Sequence, residues 1–265
     1  MCRVQTIDYD AWARTYDETR GASPSVIAPL LKALSGLAGR ALLDIGGGTG
    51  NIALPLAEAG FRVALCDLSP EMVRRAAAKL DGTPLAVADA QHLPFRDASF
   101  DCAVSINVLG HVPDWRAYFR EARRVIRKGP FVMKGATAET LKGNWVLEYL
   151  PGIRDHAPPH PYQPEEAIIG GLCAAGFSRV EVTRVHYRDL VDGSFQALKH
   201  FPQAFLDDAR IMNIAIFKRL PPDELRAGLE AIRRDYRSGR LREVIARYGP
   251  LAREYGDGSV FTAWP

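Results

Sequence analysis

The residues best suited to chemistry in this sequence follow a short apolar run at residues 41–45. Asp44 lies in that run, and glycines occupy positions 46, 47, 48 and 50. A backbone without Cβ atoms can turn sharply and lie against a ligand, so the segment predicts a strand, a tight turn and a helix start that cradle a nucleotide. The dinucleotide fingerprint G-x-G-x-x-G would need a third small residue at Asn51. Because an acid beside the turn repels a pyrophosphate and attracts an ammonium or sulfonium group, the turn favours a cationic nucleoside over NAD.

Two more acids follow predicted strands. The apolar run 62–66 ends at Asp67, and the run 85–88 ends at Asp89. A carboxylate about 20 residues beyond the glycine turn is placed to reach ribose hydroxyls. The carboxyl ends of parallel strands meet at one edge of a sheet, so Asp44, Asp67 and Asp89 are expected to line the same crevice.

The motif DIGGGTG at residues 44–50 resembles the first motif of class I S-adenosylmethionine-dependent methyltransferases. The segment AQHLPF at 90–95 is similar to the adenine-binding segment of that family, and residues 102–107 and 109–114 resemble its fourth strand and the loop that follows. At the amino terminus, YDAWARTYD at 9–17 resembles the first helix of the ubiquinone-biosynthesis-type enzymes, the small-molecule branch of methyltransferase type 11. The sequence departs from the family pattern at Gly110, where a second histidine is usual before His111.

The resemblance implies an α/β fold with a Rossmann-like, seven-stranded, mostly parallel sheet of order 3-2-1-4-5-7-6. The last strand is antiparallel, helices cover both faces, and a helical cap is inserted. We expect one methyltransferase domain over residues 1–265. Its parts are an N-terminal helical lid (1–38), a cofactor-binding βαβ core (40–135), an active-site loop (136–163) and a helical cap between strands 6 and 7 (189–257).

S-adenosylmethionine is the cofactor that the resemblance implies, with S-adenosylhomocysteine as product. Asp67 is expected at the ribose, Asp89 at the adenine, and Asp44 at the amino group of the methionine end. The residues assigned to the cofactor on this basis are Tyr16, Asp44, Gly46, Gly48, Asp67, Leu68, Asp89, Ala90, Ser105, Ile106 and Asn107. The alternative for Asp67 and Asp89 is local capping or turn chemistry.

On the substrate side the candidates are Tyr9, His111, His160 and Tyr162. His111 follows the fourth strand, where an imidazole could accept a proton near neutral pH, and it is the candidate general base. The alternative is a structural, hydrogen-bonded histidine. We expect no metal, because Ile106 and Asn107 stand where magnesium-dependent relatives carry carboxylates. The prolines at 158, 159, 161 and 164 also preclude a helix that would pair His156 with His160.

Composition agrees with an ordinary globular enzyme, since 47% of the 265 residues are hydrophobic and 25% are charged. No apolar stretch approaches the ~18 residues of a membrane span, and the start of the chain lacks a signal-peptide core, so we expect a cytoplasmic protein. The net charge of +3 and the acids interspersed among the late arginines argue against nucleic acid as a partner. Large apolar residues at 195–217 could form the core of the cap, wall a substrate pocket or support a homodimer.

These observations predict an enzyme that transfers a methyl group from S-adenosylmethionine to a small or medium-sized, partly apolar metabolite by metal-independent direct displacement. Two alternatives stay open. One is a protein that binds S-adenosylmethionine without catalysis, and the other is an RNA or protein methyltransferase whose cap recognises a macromolecule.

Overall fold

The computed structural model describes residues 8–154 and 162–265, and its centre is a seven-stranded sheet of order β3-β2-β1-β4-β5-β7-β6. The strands are β1 (Ala41–Ile45), β2 (Arg62–Asp67), β3 (Leu85–Val87), β4 (Cys102–Ile106), β5 (Phe131–Gly135), β6 (Arg179–Val185) and β7 (Gly258–Trp264). The first five strands pair in parallel, and β7 runs antiparallel to both β5 and β6. This arrangement confirms the predicted fold class and strand order.

Eleven α-helices lie in the described ranges. They are α1 (Tyr9–Tyr16), α2 (Pro24–Ala33), α3 (Ala53–Glu58), α4 (Pro70–Lys79), α5 (Trp115–Val125), α6 (Ala138–Lys142), α7 (Glu165–Ala174), α8 (Phe195–Leu198), α9 (Asp208–Met212), α10 (Pro222–Ser238) and α11 (Leu241–Tyr255). Short 3-10 helices occur at Leu109–His111, Trp145–Glu148, Pro151–Ile153, Pro202–Leu206 and Phe217–Arg219. None of the helices described is both long and apolar enough to span a membrane.

Residues 194–218, which lie within the predicted helical cap, form several short helices rather than one long one. Pro202 begins a 3-10 helix, and Asp207 caps the next helix by accepting a hydrogen bond from the Arg210 amide at 3.1 Å. A proline inside a helix removes a backbone donor, and an N-capping aspartate favours a new start, so the chain turns repeatedly here. The large apolar residues of this segment are spaced as they are because they are buried in a separate core, and they do not belong to one continuous helix.

Three clusters of buried side chains hold the molecule together. One covers one face of the sheet and includes Phe119 and Phe131; a second covers the opposite face and includes Leu30 and Val104. The third, which includes Phe205, joins residues 141–153 to residues 195–244 and is built from side chains outside the sheet. Most of the large apolar residues at 195–217 are buried in that third cluster. The homodimer through these residues stays a prediction.

The sheet positions a crevice where β1 and β4 lie side by side. From β1 the order continues through β2 to β3, and from β4 it continues through β5 in the other direction. Connections leave the two neighbouring strands toward opposite sides, so the carboxyl ends of β1 and β4 are splayed open, which is where open α/β sheets bind ligands. Asp44, Asn107 and Gly135 all lie at this edge.

Candidate active site

The glycine turn after β1 leaves space for a ligand at Gly48. Gly46 and Gly48 have φ angles of 70° and 55°, in the left-handed region that favours glycine. A Cβ on Gly46 would collide with the side chain of Val108, whereas a Cβ on Gly48 would meet no atom within 4 Å. Gly46 is therefore required by close packing, while Gly48 borders an open space at the mouth of the crevice.

The cavity beside this turn, which we call the turn cavity, contains two buried polar atoms that no described residue bonds. Its lining includes Tyr16, Arg20, Asp44, Ile106 and Asn107. The Oδ2 of Asp44 is one of the two atoms, and burial together with the nearby charge of Asp67 raises the pKa of Asp44 to about 7. The Nε of Arg20 is the other. An unpaired acid and an unpaired guanidinium nitrogen in one cavity are complementary to the two charges of an α-amino acid.

The other two acids of the edge make local hydrogen bonds. Asp67 accepts from the amides of Gly48 at 2.8 Å and Ser69 at 2.9 Å, and Asp89 accepts from the Gln91 amide at 2.9 Å. Burial raises the pKa of Asp67, while the two amides act against that rise. The turn chemistry considered from the sequence is thus present at both acids. A carboxylate can accept about four hydrogen bonds, so Asp67 keeps lone pairs for a ligand, whereas Asp89 is more fully occupied because the Gln91 side-chain amide also contacts both of its oxygens.

Leu68 and Ala90 lie beside these acids. The Leu68 side chain is 69% exposed, which is unusual for leucine and offers an apolar face at the edge of the crevice. Ser105 is different, because its side chain is fully buried and its hydroxyl donates to the Ile45 carbonyl at 2.7 Å. This hydroxyl links β4 to β1 and is not available to a ligand.

Hydrogen bonds near both ends of helix α1 attach it to the residues that follow β1 and β2. Near its start, Asp10 accepts from the hydroxyl of Ser69, and just past its end Asp17 accepts from Thr49 at 2.6 Å and from Asn51 at 2.9 Å. Asn51 is the residue that breaks the dinucleotide fingerprint, and here it connects the glycine turn to the amino-terminal segment. The helix therefore covers the turn cavity, which its residue Tyr16 lines.

A second cavity, which we call the acceptor cavity, adjoins the turn cavity, since Arg20 and Asn107 line both. Its walls are largely apolar and come from the segment after β4, from α5 and from the region between β6 and β7. They include Leu109, Trp115, Phe195, Ile214 and Ile216. Gly135, at the end of β5, also lines it, and a Cβ at Gly135 would meet no atom within 4 Å.

The structure brings together three of the predicted substrate residues. The Tyr9 hydroxyl lies 3.1 Å from Nε2 of His111, and Tyr162 lines the acceptor cavity with His111. His160 lies outside the described residues. His111 is accessible from the cavity but lies deep in the protein, and desolvation with the positive charges of Arg219 and Arg20 lowers its pKa to about 4. The imidazole is therefore neutral near pH 7 and is a weak proton acceptor.

A chain of buried polar groups connects Asn107 to Arg20, the two residues that line both cavities, and of its members only Asn107 was predicted from the sequence. The Lys134 ammonium donates to Asn107 Oδ1 at 3.0 Å and to the Tyr187 hydroxyl at 2.9 Å. Tyr187 donates in turn to Asp192 at 2.7 Å, and Asp192 pairs with Arg20 at 2.9 Å. Desolvation lowers the pKa of Lys134 to about 8. Each charge in this chain has a partner, which is what burial of charges requires.

Asn107 receives its conformation from that chain. Its φ angle is 61°, an uncommon value for a residue other than glycine, and its amide donates to the Lys134 carbonyl at 2.7 Å. Lys134 was detectable in the sequence as a single charge within the apolar strand before Gly135. Nothing in the local pattern distinguishes Arg20, Tyr187 or Asp192 from surface residues.

The comparisons with known proteins agree with this geometry. A sequence profile for a methyltransferase domain matches residues 43–133. Over 180 residues the chain is 32% identical to the ubiquinone/menaquinone biosynthesis C-methyltransferase of Acidiphilium cryptum, covering 58% of this chain and 70% of that protein. The chain belongs to the S-adenosylmethionine-dependent methyltransferases. S-adenosylmethionine is accordingly the cofactor of this methyltransferase.

Two further relatives define how far the likeness extends. Over 169 residues the methyltransferase is 32% identical to an uncharacterized protein of Mycobacterium tuberculosis; the match covers 60% of this chain and only 61% of that relative's length. A crystal structure of an Anabaena variabilis protein, assigned to the methyltransferases of an antibiotic biosynthesis pathway, superposes with a TM-score of 0.80 at 25% identity. That match covers 93% of this chain and 99% of the other, so it includes the region between β6 and β7.

Proposed function

We propose that this methyltransferase transfers a methyl group from S-adenosylmethionine to a small or medium-sized, partly apolar metabolite. The observation that carries the proposal is the pair of adjoining cavities. The turn cavity presents Asp44 and Arg20, which complement an α-amino acid, and the acceptor cavity presents mostly apolar walls. A methyl donor and an apolar acceptor in these two cavities would meet at Asn107 and Arg20.

The residues of the turn cavity fit the methionine end of the cofactor. We assign the ammonium group to Asp44, whose raised pKa shows the cost of an unpaired buried carboxylate, and the carboxylate to the free Nε of Arg20. The open space at Gly48 would allow the cofactor to lie close to the backbone, and we assign Asp67 to the ribose hydroxyls. The remaining assignments from the sequence are retained: Tyr16, Gly46, Leu68, Asp89, Ala90, Ile106 and the backbone at Ser105 and Asn107.

When bound, S-adenosylmethionine supplies an electrophilic methyl group on its sulfonium. The protein then has to fix the acceptor, exclude water and deal with one proton. His111 lines the acceptor cavity, and its hydrogen bond with Tyr9 attaches α1 to the residues after β4. With a pKa of about 4, His111 is better suited to positioning Tyr9 and the acceptor than to removing a proton.

Direct displacement without a metal suits the groups at this edge. The residues after β4 are Ile106 and Asn107, and the side-chain oxygen of Asn107 already accepts a hydrogen bond from Lys134. Hard cations such as Mg²⁺ bind through carboxylate oxygens, and neither residue supplies one. The arginines of α10 and α11 support a small-molecule acceptor over a nucleic acid, because Arg226 pairs with Asp223 and Arg247 pairs with Glu148.

Two measurements test this function. Calorimetry should show binding of S-adenosylmethionine and no binding of NAD, and S-adenosylhomocysteine should be released when a metabolite panel is added. If S-adenosylmethionine binds but no metabolite of the panel is methylated, the result would favour the non-catalytic alternative. Turnover only with RNA or protein, or an RNA mobility shift, would favour the macromolecular one. The cytoplasmic location stays a prediction from the sequence.

A further inference from the structure

Arg219 lines the acceptor cavity and forms no ion pair with a residue that the structure describes. It ends the 3-10 helix Phe217–Arg219, and its positive charge acts on His111, another residue that lines the cavity. Both Nε and Nη1 are buried, and no residue in the described ranges accepts a hydrogen bond from either. Burial lowers the pKa of Arg219, although an arginine stays charged under all ordinary conditions.

The other two cations that line the acceptor cavity are already paired. Arg20 forms its ion pair with Asp192, and Lys134 donates to Asn107 and Tyr187. Among the described lining residues there is no aspartate or glutamate. The charge of Arg219 therefore has no acidic counterpart among the described residues of the cavity wall.

The phenols beside Arg219 do not supply that counterpart. Tyr9 and Tyr162 are the groups whose charges would act on Arg219, but burial raises the pKa of Tyr162 to about 12 and raises that of Tyr9 as well. Both phenols are neutral near pH 7, and His111 is neutral too. The described part of the wall around Arg219 thus offers neutral hydrogen-bonding groups and one positive charge that these groups do not compensate.

We propose that Arg219 binds an anionic group of the methyl acceptor, so that the substrates are organic anions with an apolar body. The inference rests on the proposed function, and it specifies the class of acceptor. An anion on Arg219 would gain charge-assisted hydrogen bonds from a guanidinium that is already desolvated. The apolar body would pack against Trp115, Ile214 and Ile216.

Carboxylates and phosphate monoesters share the required chemistry, and the experiment separates them. Calorimetry on the complex with S-adenosylhomocysteine would use benzoate, hexanoate and phenyl phosphate as anionic probes and benzamide as the neutral match for benzoate. We expect at least one anion to bind 10-fold or more tightly than benzamide. The better of the two anion types identifies the source of the charge.

Variants at Arg219 make the test specific. Arg219→Met keeps the length of the side chain and should reduce anion affinity to that of benzamide, while Arg219→Lys should retain part of it. Arg226→Met is the matched control, because Arg226 is an exposed arginine of α10 paired with Asp223, and it should leave anion binding unchanged. S-adenosylhomocysteine affinity and melting temperature, measured on each variant, show that the protein is folded.

Equal anion affinity in wild type and in both Arg219 variants would overturn the proposal. The absence of binding by all three anions to the wild-type complex would overturn it as well. A wild-type protein that fails to bind S-adenosylhomocysteine would instead contradict the proposed function. Anion binding to the free protein would then still report on Arg219, so the two failures are distinguishable.

Discussion

The two cavities differ in the charged groups whose atoms have no hydrogen-bond partner among the described residues: the turn cavity has one of each sign and the acceptor cavity has a cation. In the turn cavity these are Oδ2 of Asp44 and Nε of Arg20, whereas in the acceptor cavity they are Nε and Nη1 of Arg219. Between the two cavities, the Tyr187 hydroxyl accepts a hydrogen bond from Lys134 and donates one to Asp192. Paired buried charges fix the shape of the crevice, and unpaired ones indicate where ligands of opposite charge belong.

The two cavities also differ in the backbone conformation of a glycine that lines each of them. Gly48 in the turn and Gly135 at the end of β5 each face space in which a Cβ would touch nothing. Gly48 has a positive φ, so substitution there strains the backbone, while no positive φ occurs at Gly135. The acceptor cavity can therefore be filled by mutation without disturbing the turn cavity.

Gly135→Val has the largest expected effect and acts on one cavity only. The valine side chain would occupy acceptor space, so kcat/KM should fall by about 100-fold or more, the scale for a misplaced reactant. The dissociation constant of S-adenosylmethionine should stay within a factor of three or so of wild type. Gly170→Val is the control, because Gly170 is an exposed glycine of α7 that also has open space around its Cβ. Loss of cofactor binding in Gly135→Val would show that the cavities are not separable.

Asp44→Asn acts on the other cavity and should have opposite effects on binding and stability. Removing the charge should weaken S-adenosylmethionine binding by about 10- to 150-fold, the range for charge-assisted hydrogen bonds. The free protein should melt at a higher temperature, by about 2–4 °C for each kcal/mol gained, because a buried unpaired carboxylate is gone. Calorimetry and thermal melting on one preparation test both effects, with the exposed Asp81→Asn as control. A lower melting temperature of the free variant would contradict the unpaired state of Asp44.

Cofactor affinity should also depend on pH. Asp44 has a pKa of about 7 in the free protein, and the ammonium of a bound ligand would lower it, so binding below pH 7 releases a proton. The affinity for S-adenosylmethionine should therefore fall roughly tenfold from pH 8 to pH 6. In Asp44→Asn the dependence should disappear. An affinity that is flat with pH in the wild type would place Asp44 away from the amino group.

The smallest expected effect is at His111. Because its pKa of about 4 keeps the imidazole neutral, His111→Gln should lower kcat only a few-fold, and the wild-type rate should show no histidine titration between about pH 6 and 8. A loss of 10²–10⁴-fold in single-turnover rate, with cofactor affinity unchanged, would assign His111 as the general base after all. Tyr9→Phe tests the same hydrogen bond from the other side and should match His111→Gln.

The sequence by itself determined the fold class, the strand order and the side of the crevice that resembles a known cofactor site. Asp44, the glycine turn and Asp67 could be predicted as candidate cofactor residues because each lies within a few residues of a strand end, where the local sequence pattern determines position. Only the tertiary structure brought Arg20, Lys134 and Arg219 to the acceptor cavity and connected the first two through Tyr187 and Asp192. These residues come from distant segments with no shared periodicity, and whether each is paired depends on burial and contacts that no local pattern records.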